Sequence, residues 1–190
     1  MRQRFPNNED RRSFRIRRRL SRPSRRSIAY CAELTEIFPN QDIKPIQAET
    51  DLTIIGKMDI VDARHRVPRL GEMLFKDLAT EIMEPRPVSS RREKLARVIS
   101  VGYIGTRETV RAALFLEDKK NSLQHEYANY TSRLDALGAA GRWKGMLPHI
   151  SLALVPQAEA NEDILEWISA SAPLEIMLLP VDTDPRVPKD

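Results

Sequence analysis

The chain reads as an α+β protein with mostly antiparallel strand pairing. Three observations carry that expectation. Short β-branched and apolar runs alternate irregularly with helical stretches, in the order strand, strand, helix, strand, strand, helix, strand, helix, strand. Two adjacent runs, 95–104 and 110–117, are separated only by the short stretch Gly105-Thr106-Arg107-Glu108-Thr109. The 190 residues are 41% hydrophobic and 31% charged, which suits one packed domain and argues against wholesale disorder.

Each element has its own signal. Residues 27–34 (SIAYCAEL) form an apolar, β-capable run read as a strand, and 40–50 a polar loop containing Pro45. Residues 52–58 (LTIIGKM) are β-branched and read as a strand. Over 68–83, Leu70, Met73, Leu74, Leu78 and Ile82 recur at helical spacing, with Pro68 in the first turn and Pro85 as the stop. The stripe marks a core face. After the strands 95–104 and 110–117, residues 119–137 carry Leu123, Tyr127, Tyr130, Leu134 and Leu137 on one helical face. A Gly-rich loop spans 138–145. Residues 149–155 read as a strand, 160–169 as a helix and 174–181 as the last strand.

Several function classes are excluded at this level. No apolar run approaches 18 residues, so neither a membrane span nor any membrane partner is expected. The N-terminus lacks the apolar core of a secretory signal. Cys31 is the single cysteine, so neither an internal disulfide nor a cysteine zinc site is expected. A reducing, cytoplasmic setting follows as the expectation. The glycines match neither a phosphate-binding loop nor a dinucleotide fingerprint. No His, Asp and Glu set has metal-ligand spacing, and no cofactor is expected.

Charge divides the chain. Residues 1–27 hold eleven arginines against Glu9 and Asp10, a balance of +9, and the remaining 163 residues balance at −5. Residues 1–27 are therefore read as a flexible basic tail, and 28–190 as the domain. Such a tail suits nucleic-acid phosphates. A merely solvated extension and an organelle-targeting segment are the other readings, the second weakened by Glu9 and Asp10.

One internal echo bears on function. Asp51-Leu52-Thr53-Ile54-Ile55 matches His149-Ile150-Ser151-Leu152-Ala153 in pattern: polar, aliphatic, hydroxyl, then apolar. Residues two apart on a strand share a face, about 6.5–7 Å apart. Side by side, two such strands would set Asp51, Thr53, His149 and Ser151 around one polar cleft.

The stretch Leu147-Pro148-His149-Ile150-Ser151-Leu152-Ala153 resembles the signature of the two-histidine phosphoesterase superfamily, which includes 2′-5′ RNA ligase-like proteins and cyclic phosphodiesterases. The resemblance covers about residues 28–182. In the first motif Asp51 stands where that family has histidine. The resemblance implies two pseudo-symmetric lobes with antiparallel sheets around a central cleft. It also implies a monomeric, metal-independent phosphodiesterase acting on RNA ends or on 2′,3′-cyclic or 2′-5′-linked nucleotides.

On that resemblance His149 is a catalytic acid or base, Thr53 and Ser151 hold phosphate, and Asp51 occupies the second catalytic position. Histidine suits proton transfer because its pKa lies near 6.5. A carboxyl near its ordinary value of about 3.9 is ionised at neutral pH, and acts as an acid only if its pKa is raised by about 3. Three outcomes therefore stay open: slow turnover through His149, an Asp51–His149 pair, or an inactive protein that binds RNA or a cyclic nucleotide or docks on a ribonucleoprotein. Tyr103, Arg107 and Trp143 are further candidates for base stacking or phosphate contact. His65 and His125 read as surface residues of a loop and a helix. His65 would replace the missing imidazole only if its loop folded over the cleft.

Overall fold

Residues 13–20, SFRIRRRL, alternate between two faces. Phe14, Ile16, Arg18 and Leu20 are buried, whereas Arg15, Arg17 and Arg19 turn to the other side. That period of two is a strand signature. The computed structural model describes residues 13–46, 51–105, 107–139 and 145–186. In chain order the elements are β1 (Ser13–Leu20), α1 (Arg22–Ser27), α2 (Leu34–Ile37), β2 (Lys44–Pro45), β3 (Asp51–Ile55), α3 (Lys57–Arg66), α4 (Pro68–Glu72) and α5 (Phe75–Met83). Then follow β4 (Lys94–Ile104), β5 (Thr109–Leu116), α6 (Ser122–Ala136), β6 (His149–Pro156), α7 (Glu162–Ser171) and β7 (Glu175–Arg186).

The strands form one sheet in the order β2-β6-β5-β4-β7-β1-β3, antiparallel at every pairing. The expected α+β class is what the structure has. The long β4 joins the two halves: Lys94 to Arg97 pair with β7, and Val98 to Ile104 pair with β5. The ladder shifts register after Val98, where the strand passes from one half to the other. β3, at one edge, lies against β6 of the other half. Each half has its own core. One gathers Leu114, Ile150, Leu152, Ile164, Ile168 and Ile176, and the other Phe14, Ile16, Ile55, Ile60, Leu78 and Leu134.

Arg18 breaks the apolar alternation of β1 and is fully buried. Its five N–H donors are all matched. Nε and Nη2 grip Glu126 at 2.9 and 2.7 Å, and the rest donate to the carbonyls of Ser89, Arg92 and Leu179 at 2.8–2.9 Å. Lys94 Nζ adds a second cation 2.7 Å from Glu126. A buried charge survives only with such complete pairing.

Four expectations are corrected. Residues 13–27 are not a flexible tail but β1 and α1. The eleven arginines conceal the alternation of Phe14, Ile16 and Leu20, and Ser21 caps α1 by accepting from the Ser24 amide at 3.3 Å. The run 27–34 is helical, not extended. Its buried residues Ile28, Cys31 and Leu34 are spaced by three, a tight-helix period. The expected strand at 52–58 ends at Ile55, because Gly56 caps α3, with the Asp59 carboxylate accepting from the Gly56 amide at 3.1 Å. The single helix over 68–83 is two, broken at the extended Met73 and Leu74. There the Met73 carbonyl accepts from Arg64 Nη2 at 2.7 Å instead of continuing the helix.

Candidate active site

β3 and β6 bring the two echoed motifs to one cleft of about 710 Å³. Asp51, Thr53, His149 and Ser151 all line it. That volume suits a nucleotide-sized ligand. The convergence has a local cause on each strand. On β3, Leu52 and Asp51 are buried while Thr53 stays half-exposed. On β6, Ile150 and Leu152 enter the core and leave His149 and Ser151 on the cleft side. Opposite Ser151 on β5 stands the buried Ala113.

His149 has a defined tautomer. Its Nδ1 lies 2.7 Å from the Leu147 carbonyl. A carbonyl only accepts, so Nδ1 carries the proton and Nε2 keeps its lone pair. Burial pulls the imidazole below its ordinary pKa and nearby Arg111 adds to that effect, against the opposing Leu147 contact. Neutral His149 is thus a proton acceptor at physiological pH.

Asp51 is in a different situation. Its side chain is 2% exposed and meets two guanidinium groups: Arg15 Nη2 at 2.6 Å and Arg17 Nη1 at 3.1 Å. Thr53 Oγ1 donates to its other oxygen at 3.3 Å. Burial sets the carboxyl above its ordinary value, and Arg15, Arg17 and Thr53 pull it down by less. The two guanidinium partners favour its ionised form. Burial likewise opposes the charge on Arg17, but Asp51, Asp184 and Asp182 outweigh it and hold the guanidinium charged.

Those ion pairs form a cross-strand ladder. Arg15 and Arg17 of β1 face Asp184 and Asp182 of β7, at 3.0 and 3.2 Å. Arg19 Nε reaches Asp182 at 2.8 Å. Four arginines of the expected basic arm therefore belong to the sheet. In that segment Arg22, Arg25 and Arg26 of α1 are exposed.

The structure adds cleft residues that sequence reasoning missed. Arg111 of β5 is exposed at the cleft and near enough to His149 to bias its charge. Arg15, Lys57 and Tyr127 also line the cleft, and the exposed Met58 and Leu147 form an apolar rim. Arg111 left a trace in sequence, as the one charged residue inside the apolar run VRAALFL. The other candidates lie elsewhere. The Tyr103 hydroxyl donates to the Asn161 carbonyl at 2.8 Å beside α7, and Arg107 is exposed in the β4–β5 turn. Neither lines the cleft. Trp143 lies outside the described residues. His65 and His125 are exposed on α3 and α6, and neither replaces an imidazole at position 51. Among the described residues no three His, Cys, Asp or Glu side chains cluster as a metal site.

No protein-family model and no curated protein matches the chain. Among solved structures, Kluyveromyces marxianus Usb1 is similar to it. The identity is 7%, the match covers 94% of this chain and 95% of that one, and the TM-score is 0.45. A likeness at that level says nothing of chemistry, and function is read from the residues of the cleft.

Proposed function

We propose that the cleft binds a nucleotide phosphodiester, at an RNA end or in a 2′,3′-cyclic or 2′-5′-linked nucleotide, and hydrolyses it slowly with His149 as the one general base. The observation that supports this is the convergence of β3 and β6, which gathers an imidazole, two hydroxyls and the Arg111 guanidinium around one space. His149 Nε2 takes the proton of an attacking water or ribose hydroxyl as its oxygen bonds to phosphorus. Ser151 and Arg111 donate to the non-bridging oxygens as charge builds there. The P–O bond to the leaving oxygen breaks on the opposite side, in line with the attack. One imidazole cannot reach both sides, and the guanidinium partners of Asp51 favour its ionised form, so solvent water protonates the leaving oxygen. The imidazolium then returns its proton to solvent. Loss of one general acid typically costs about 10²–10⁴-fold in rate.

The ion pairing of Asp51 favours a second reading, binding without turnover. One experiment separates the two. Hydrolysis of 2′,3′-cyclic AMP is followed in EDTA for the natural chain and for His149→Ala, beside binding of adenosine 3′-phosphate. Slow turnover lost in the variant, with binding retained, supports the phosphodiesterase. Binding without turnover selects the second reading. Neither binding nor turnover overturns both.

A further inference from the structure

Position 51 lacks the imidazole that its motif resembles, yet the cleft is not short of a phosphate-binding group there. Arg15 lines the cleft with an 11% exposed side chain. Its Nε donates to Asp184 Oδ2 at 3.0 Å. Its Nη2 pairs with Asp51 Oδ2 at 2.6 Å.

The surrounding charges agree with a ligand role. Arg15, Arg17 and Arg19 stand against Asp51, Asp182 and Asp184, three cations against three anions. The ladder thus adds no net charge to the cleft. What it supplies is a guanidinium whose plane is clamped at two points. A clamped fork loses little rotamer freedom when it binds a tetrahedral oxyanion. Asp51 is short, buried and anchored on β3, so it sets where the fork sits.

We propose that Arg15 is a phosphate ligand of the cleft and that Asp51, together with Asp184, is its positioning residue and not a proton carrier. The assignment rests on the reading that the cleft takes a nucleotide phosphodiester. It goes beyond that reading by converting the first motif from acid–base chemistry to anion binding.

The test measures binding of adenosine 3′-phosphate and of adenosine, at fixed salt, to the full chain and three variants. Arg15→Gln lowers phosphate affinity about tenfold or more and leaves adenosine affinity unchanged. That result alone is ambiguous, because unpaired Asp51 would also repel phosphate. The double variant R15Q/D51N removes both charges. It stays weak if Arg15 touches phosphate, and returns to natural affinity if Arg15 only neutralises Asp51, which would overturn the assignment. Arg15→Lys keeps the charge but loses the fork, so its phosphate affinity drops several-fold; an unchanged affinity would also overturn the assignment. A natural chain that binds no adenosine 3′-phosphate overturns the reading of the cleft itself, a result distinct from the other two.

Discussion

The Asp51 carboxylate and the Arg17 guanidinium, 34 positions apart in the chain, meet at 3.1 Å across the β1–β3 pair. The contact joins a segment that looked like a solvated arm to the motif that looked like half of a catalytic pair. It makes Asp51 a member of a salt-bridge ladder before it is anything else.

Placing histidine at position 51 is expected to harm the protein. Asp51→His removes an anion shared by Arg15 and Arg17 and sets an imidazole between two cations. Breaking a buried pair from one side costs on the order of 3 kcal/mol. Urea unfolding is expected to report that loss, with no gain in turnover of 2′,3′-cyclic AMP. A tenfold gain in rate would show that a second imidazole at this position reaches the substrate.

The pH profile follows from the lowered pKa of His149. In the proposed mechanism the base form acts, so the rate is expected to rise with pH through a value below the ordinary histidine value of 6.5 and to be flat above it. Burial is the main cause and the Arg111 charge a smaller one. Arg111→Gln therefore moves the inflection upward, but not to the ordinary value. A profile of catalytic efficiency from acid to neutral pH, with 2′,3′-cyclic AMP as substrate, checks both. A rate that falls on approaching neutrality would instead require a group that acts in its protonated form.

Arg18 is a structural charge. Arg18→Ala would leave Glu126, which is fully buried, with Lys94 as its remaining cation, and three carbonyls without their donor. A loss of about 3–5 kcal/mol is expected in urea unfolding. Arg18→Lys is not expected to rescue it, since an ammonium cannot reproduce five planar donors. A double variant, R18M/E126Q, is expected to recover part of the loss. Equal stability of Arg18→Ala and the natural chain would contradict this account.

Truncation distinguishes a tail from a strand. A chain beginning at residue 28 lacks β1, which lies between β7 and β3. It also lacks Phe14, Ile16 and Leu20, all fully buried. The shortened chain is expected to lose its cooperative thermal transition, as seen by circular dichroism. A sharp transition near that of the full chain would restore the reading of 1–27 as a dispensable arm.

The sequence by itself determined the α+β class, most strands and helices after residue 90, and which residues of the two motif strands share a face. Each of these rests on a local period, and a period of two or 3.6 survives whatever packs around it. His149, Ser151, Thr53 and Asp51 were legible for the same reason. Tertiary structure alone decided what the charges do. Arg15, Arg17 and Arg19 look alike in a basic run, and only the neighbours β3 and β7 supply the Asp51, Asp182 and Asp184 that neutralise them. Arg18 likewise is a core residue only because α6 brings Glu126 beneath β1. Those partners lie 34 to 169 positions away in the chain. Coulomb interaction depends on distance in space and on burial, neither of which a count of charges along the chain contains.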